Sequence, residues 1–339
     1  IIIGYTVLGG FLAVSTTDLI QSVVMSIALI IIVFFGIHVA GGWDAVISNA
    51  QSLAGYLSMT SMHNMADHTS SPYSLLTICS TLAWGLGYFG MPHILLRFMA
   101  IEDENKLTLS RRIASVWVVI SMFVAILIGI IGDSASVAGS VPMLSTSSQS
   151  ETIIIQLSGL LGQNGFLLSI IAGIVLAGIL ASTMSTADSQ LLTRGFRHLQ
   201  NLLQDFLKIK MDTKTSMRAA RLTVIGIALV AVVLAWNPDS SVFTIVSFAW
   251  SGFGASFGPV MLFALFWKRS NLPGAIAGMV AGNVMVFVWK YGIKPMGGIW
   301  GIYELLPAFL VACAAIIIVS LATAAPSKEI CDKFDSIGK

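Results

Sequence analysis

Apolar runs of about twenty residues, separated by short polar stretches, recur along this chain, and a helix of that length crosses the roughly 30 Å hydrocarbon core of a bilayer. Nine segments follow from the pattern. Segment one, Ile1–Val14, is short and reads as the tail of a cut helix. Segment two, Asp18–His38, comes after the polar Ser15–Asp18, where Thr17 or Asp18 is placed to cap it. The others are Tyr73–Leu96, Ile113–Ile131, Phe166–Leu192, Leu222–Trp236, Val242–Trp267, Ala275–Trp289 and Gly301–Ala322. Gly41–Pro72 and Gly132–Gln163 read as polar loops without Lys or Arg.

Charge sorts the loops into two sets. Sixteen of the eighteen Lys and Arg fall in Arg97–Arg112, Arg194–Arg221, Lys268–Arg269 and the C-terminal tail, and only Lys290 and Lys294 fall in the alternate set. Basic loops are retained in the cytoplasm, so those loops and the C-terminus are expected inside, with Asp18 and Asp188 near the cytoplasmic ends of their helices. Composition agrees. Of 339 residues, 56% are hydrophobic and 10% charged, too few charges to cover a soluble domain. The chain is expected to be an all-α polytopic protein of the inner (plasma) membrane, embedded in the lipid bilayer. A net charge of +2 excludes a nucleic-acid partner, and no protein partner is implied. Cys79, Cys313 and Cys331 lack metal-site spacing. No signal peptide precedes Ile1, and an N-terminal part of the natural protein is expected to be absent.

The chemistry concentrates in three spans. Segment five ends on Gly178–Leu192, where Ser182, Ser185, Thr186 and Ser189 recur at i, i+3, i+4, i+7, with Asp188 beside that face. Hydroxyls, a carboxylate and helix carbonyls suit a hard monovalent cation such as Na⁺. The competing structural reading has the hydroxyls bonding back to their own helix and packing two helices together. Segment three carries Trp84-Gly-Leu-Gly-Tyr88-Phe-Gly-Met-Pro92, in which three Gly and a Pro are set to break the helix. Broken helices build substrate sites in secondary transporters, and Trp84 and Tyr88 could stack on a small solute there. The alternative is a glycine packing face with aromatics toward lipid. Segment seven repeats the theme in Trp250-Ser-Gly-Phe253-Gly254-Ala-Ser-Phe-Gly258-Pro259, which suits a gate helix and a small-residue packing face equally. His63, Asp67 and His68 have metal-like spacing but read as a solvated loop. No phosphate loop, nucleophile elbow or cofactor motif occurs, and the chain is not expected to be an enzyme.

With these residues in hand, the chain resembles the sodium/solute symporter family. The matching stretches are Tyr5–Asp18, Trp84–Leu95, Met184–Thr186 with Gln190–Leu192, and Phe248–Pro259. The resemblance implies a leucine-transporter-like core of two inverted five-helix repeats. Residues 1–40 would be two helices ending the first repeat, the first of them truncated. Residues 41–72 would be an extracellular or periplasmic loop, 73–267 the second repeat, 268–324 two added helices and 325–339 a cytoplasmic tail. It implies sodium-coupled import of a small amino acid, proline first, with ion and substrate released inward as one helix bundle rocks against the other. Ser185 and Thr186 would give hydroxyls to sodium and Ser182 its carbonyl. Asp18, Asp188 and Ser189 would hold a second sodium. Trp84, Tyr88 and Pro92, with Trp250 and Phe253, would line the substrate site, where Met91 departs from the expected Gln. A sodium symporter for another organic solute, or a transporter-like nutrient-sensing module, is the alternative; an ion channel or an intramembrane protease fits less well.

Overall fold

In hydrocarbon a backbone N–H or C=O has no water to turn to, so apolar runs fold as helices that satisfy these groups internally. The computed structural model describes residues 2–64, 69–199, 208, 212–236 and 241–337. Along the chain come α1 (Ile2–Val39), α2 (Trp43–Ser52), the paired strands β1 (Ser61–Asn64) and β2 (Thr69–Pro72), α3 (Leu75–Gly87) and α4 (Pro92–Met99). Next are α5 (Leu107–Val137), the short α6 (Ser147–Ser150), α7 (Ile153–Gly162), α8 (Phe166–Leu199) and α9 (Thr213–Leu234). The last four are α10 (Val242–Phe266), α11 (Leu272–Phe287), α12 (Leu305–Ala322) and α13 (Lys328–Ile337). Six helices among the described residues are long and apolar enough to cross a membrane, and Leu75–Gly90, Ile153–Gly162 and Leu222–Val233 are shorter apolar helices. Large side chains such as Phe34, Val119 and Phe123 are exposed on the long helices, as lipid-facing positions require. This is a multi-pass membrane protein.

Two expectations are corrected. Segments one and two are one helix, α1, which runs through Ser15–Asp18 without a break. The reason is local: the Thr17 hydroxyl donates to Val14 O at 2.9 Å, so the polar side chain is satisfied on its own helix and need not cap a new one. The helix stops instead at Gly41 and Gly42, whose φ of +91° and +101° suits glycine, with the Gly42 N–H donating to Ile37 O at 2.8 Å. The loops expected at Gly41–Pro72 and Gly132–Gln163 also hold helices, α2 and α7. Val46 and Leu157 from these join Ile32, Ile128, Ile131 and Val175 in a buried apolar core, and Leu161 of α7 is buried as well.

The chain divides into two compact units. One comprises Ile1–Met59, His63–Ser70 and Ile101–Ser241, and the other Thr60–Met62, Ser71–Ala100 and Val242–Lys339. In the first, α1 packs along α8 at Gly178, where an added Cβ would lie 2.7 Å from the Ala28 methyl. In the second, α10, α11 and α12 pack on one another around Ala255, Leu305, Ala308 and Phe309. A Cβ on Gly282 would run into the Ala255 carbonyl, so this contact is backbone against backbone. Replacing Gly178 by Leu forces α1 and α8 apart. An overpacking cost of about 1–3 kcal/mol is expected, seen as less full-length protein in the membrane and a lower melting temperature in detergent; an unchanged melting temperature would show that the contact is not tight.

Candidate functional site

The break in segment three is present, and its sequence explains its shape. Ser74 caps α3 by accepting the Thr77 N–H at 3.1 Å. The helix tightens to a 3₁₀ turn at Tyr88–Gly90, and Met91 then turns extended (φ −83°, ψ 109°). A residue before proline is pushed out of the helical region, and proline itself suits the first position of a helix; Pro92 accordingly opens α4. The tightened turn takes the Tyr88 N–H to Gly85 O, and the Trp84 carbonyl accepts the Trp250 indole N–H of α10 at 3.0 Å. A side chain at Gly87 would collide with that indole nitrogen, so glycine is what lets it reach the carbonyl. Gly90 and Gly254 likewise bring the turn onto α10: a Cβ on Gly90 would sit 2.8 Å from Gly258 N, and one on Gly254 would sit 2.7 Å from Gly87 Cα.

An aromatic group gathers on this junction. Trp84 stacks nearly parallel with Trp250, Phe243 and Tyr303, at centroid distances of 5.3, 5.5 and 6.0 Å. Tyr88 meets Trp250 edge-on at 4.8 Å and remains 52% exposed. The structure thus brings Trp84, Tyr88 and Trp250 together. Pro92 shapes the backbone, and the Phe253 ring stacks instead on Phe257 at 6.2 Å. Phe243 and Tyr303 were not singled out in the sequence. Phe243 is the second residue of segment seven, but Tyr303 follows a glycine-rich stretch that nothing local links to Trp84.

The hydroxyl-rich end of α8 belongs to the other unit. Ser185 Oγ and Thr186 Oγ1 both donate to the Ser182 carbonyl, at 3.0 and 3.4 Å, so three oxygens cluster on one turn. A cation with oxygen bonds of about 2.3–2.6 Å holds neighbouring ligands about 3.3–3.7 Å apart, so a small adjustment of this cluster would meet an ion. Ser182 also lines a cavity of about 210 Å³ with Met25, Ala28, Val175, Gly178 and Thr183, between α1 and α8. Asp18 is half-buried on α1, the helix packed on α8, and its Oδ1 is buried. The side chains of Asp188 and Ser189 lie outside the described residues, as do Asp67 and His68. Among the described residues no three His, Cys, Asp or Glu cluster to hold a metal.

Comparison with known proteins now decides the family. The model of the sodium:solute symporter family matches residues 1–282. The chain belongs to this family. It is 37% identical to the high-affinity proline transporter PutP of Bacillus subtilis over 336 residues, 99% of this chain and 66% of that one. It is also 37% identical to the sodium/proline symporter of Haemophilus influenzae over 340 residues, 99% of this chain and 65% of that one. The sodium/proline symporter of Staphylococcus aureus is 35% identical over 336 residues, 96% of this chain and 61% of that one. This symporter-family chain therefore spans a little under two thirds of the length of these relatives. A solved Na⁺-coupled sialic acid symporter, in a substrate-bound outward-open state, superposes with a TM-score of 0.70 at 17% identity, covering 96% of this chain and 66% of that one. The likeness shows the transporter fold that the sequence predicts.

One consequence of the junction is direct. Trp250→Phe keeps a ring on α10 but leaves the Trp84 carbonyl without its donor. A loss of about 1–3 kcal/mol is expected, read as a lower melting temperature of the full-length protein. Stability equal to wild type would mean that water or another donor serves that carbonyl.

Proposed function

We propose that this chain forms most of the transport core of a sodium-driven symporter whose substrate is a small amino acid, proline first. The observation that carries this reading is the broken third span with its aromatic group: a family member whose α3 breaks beside Trp84, Tyr88 and Trp250 has the means to hold a small, partly apolar solute. The names of its relatives point to proline. In this reading Tyr88, the most open of the three rings, contacts substrate directly. Trp84 and Trp250, already stacked on neighbouring rings, shape the surface behind it. Phe253 and Pro92 contribute through the α10 and α4 backbone beside the break. Substrate identity rests on what surrounds Met91.

Sodium is read as binding at the inner end of α8, with Ser185 and Thr186 giving hydroxyl oxygens and Ser182 its carbonyl. Asp18, with Asp188 and Ser189, is the place for a second ion, favoured by a carboxylate with a buried oxygen on a helix packed against α8. Each sodium moving inward gains about 2.3 kcal/mol per 100 mV of membrane potential. Ion and substrate drive transport only by binding one conformation better than the other, so each must make contacts that the inward-open form loses. The distribution of Lys and Arg supports a cytoplasmic C-terminus, in the plasma membrane.

Two measurements test this. Vesicles holding the full-length protein should accumulate proline with an inward sodium gradient and should not with potassium in its place; equal uptake in both would defeat sodium coupling. Ser185→Ala and Thr186→Ala should each raise the sodium concentration for half-maximal uptake about tenfold, the equivalent of about 1.4 kcal/mol, with protein levels held. An unchanged sodium response would take both residues out of the ion site.

A further inference from the structure

The segment that joins α11 to α12 is held more firmly than a surface loop needs. α11 loosens into a π-helical turn at Val288–Ile293 and passes through 3₁₀ turns at Lys294–Met296 and Gly298–Gly301 before reaching Tyr303 and Glu304. π turns are rare and are frequently found at functional sites. Here the Lys290 ammonium lies 3.7 Å from the centre of the Phe248 ring on α10. The Trp289 indole donates to Ile302 O at 3.2 Å. Lys294 Nζ donates to Glu304 Oε2 at 2.8 Å, and Glu304 is only 3% exposed. With Glu304 buried and Lys294 38% exposed, the pair adds little net stability after desolvation, but it fixes position.

What this anchoring fixes is Tyr303. Its N–H donates to Ser80 Oγ on α3 at 3.0 Å, and its hydroxyl donates to Ser247 O on α10 at 2.5 Å. Its ring stacks on Trp84 at 6.0 Å, tilted by only 17°. Ser80 lies one helical turn before Trp84, and Ser247 about one turn before Trp250. One residue therefore grips both helices just beside Trp84 and Trp250, where the Trp250 indole bonds the Trp84 carbonyl.

We propose that Tyr303 is a positioning residue for the substrate site: it sets the spacing of α3 and α10 at Trp84 and Trp250, and so the shape of the aromatic surface that meets the solute. This rests on the reading of the broken span as the substrate contact. Tyr303 does not touch the solute in this scheme; it acts through Trp84.

The test uses the full-length protein and Tyr303→Phe, which keeps the ring and the fold but removes the bond to Ser247. The KM for sodium-driven proline uptake is expected to rise about fivefold, the effect of one lost hydrogen bond, with maximal rate and membrane level within twofold. Ser80→Ala should shift KM the same way, and the double variant no further than the larger single change. A KM that stays put, or one that rises only in step with a falling membrane level, would overturn the assignment. Backbone hydrogen exchange over 80–91, measured without substrate, should be several-fold faster in Tyr303→Phe. Unchanged exchange would also overturn it. If wild-type protein takes up no proline while this exchange arm gives the expected result, the substrate reading fails and the brace stands.

Discussion

One requirement governs the second unit: a helix broken inside a membrane must find new partners for the backbone groups it frees. The Trp250 indole meets it by donating to the Trp84 carbonyl, at the point where Tyr88 has turned its N–H to Gly85. The rest of the junction follows. Gly87 has no side chain because the indole passes there, and Gly90 and Gly254 have none because the turn lies on the α10 backbone. Trp84 is fixed by stacking on Trp250, Phe243 and Tyr303. A hydrogen bond needed for stability in hydrocarbon thus assembles the aromatic surface that a solute would meet. The small amino acids in this stretch are thus explained by contact rather than by flexibility.

The first unit meets the same problem differently. Its described helices are unbroken, and several hydroxyls within them are satisfied locally: Thr17 on Val14 O, Ser26 on Ser22 O, Thr183 on Ile179 O. Close packing is again obtained with glycine, at Gly178 against Ala28 and at Gly36 against Ile131. Asn49, which donates to Asp133 at 2.8 Å, ties the short α2 to the end of α5, so even the connection after α1 has a defined place.

Much of this was legible in the amino-acid pattern. The long spans announce themselves by length and hydropathy, and the break by three glycines and a proline in nine residues. The family could be read from motifs that keep their order along the chain. What was not legible depended on distance or on shortness. The Ser15–Asp18 stretch looks like a gap because it is polar, yet each hydroxyl in a helix can bond one turn back, and the helix continues. α7 is ten residues long, too short to be read as a span, and its apolar face shows only once Leu157 and Leu161 are seen buried. Tyr303 lies 223 positions from Ser80, and no periodicity links the two.

The hydroxyls of α8 show why the structural and ionic readings of that turn are not exclusive. A Ser or Thr that donates its hydrogen to a carbonyl keeps its lone pairs, which are what a cation requires. The Ser182 carbonyl likewise has two lone pairs and can accept from a hydroxyl while facing an ion. The bonds from Ser185 and Thr186 to Ser182 O therefore hold three oxygens on one side of the helix and orient them, whereas free rotors would have to be ordered when the ion arrived. A site arranged in this way loses less entropy on binding. Once an ion had left, each oxygen would still have a partner on its own helix, which would limit how tightly such a site could hold the ion.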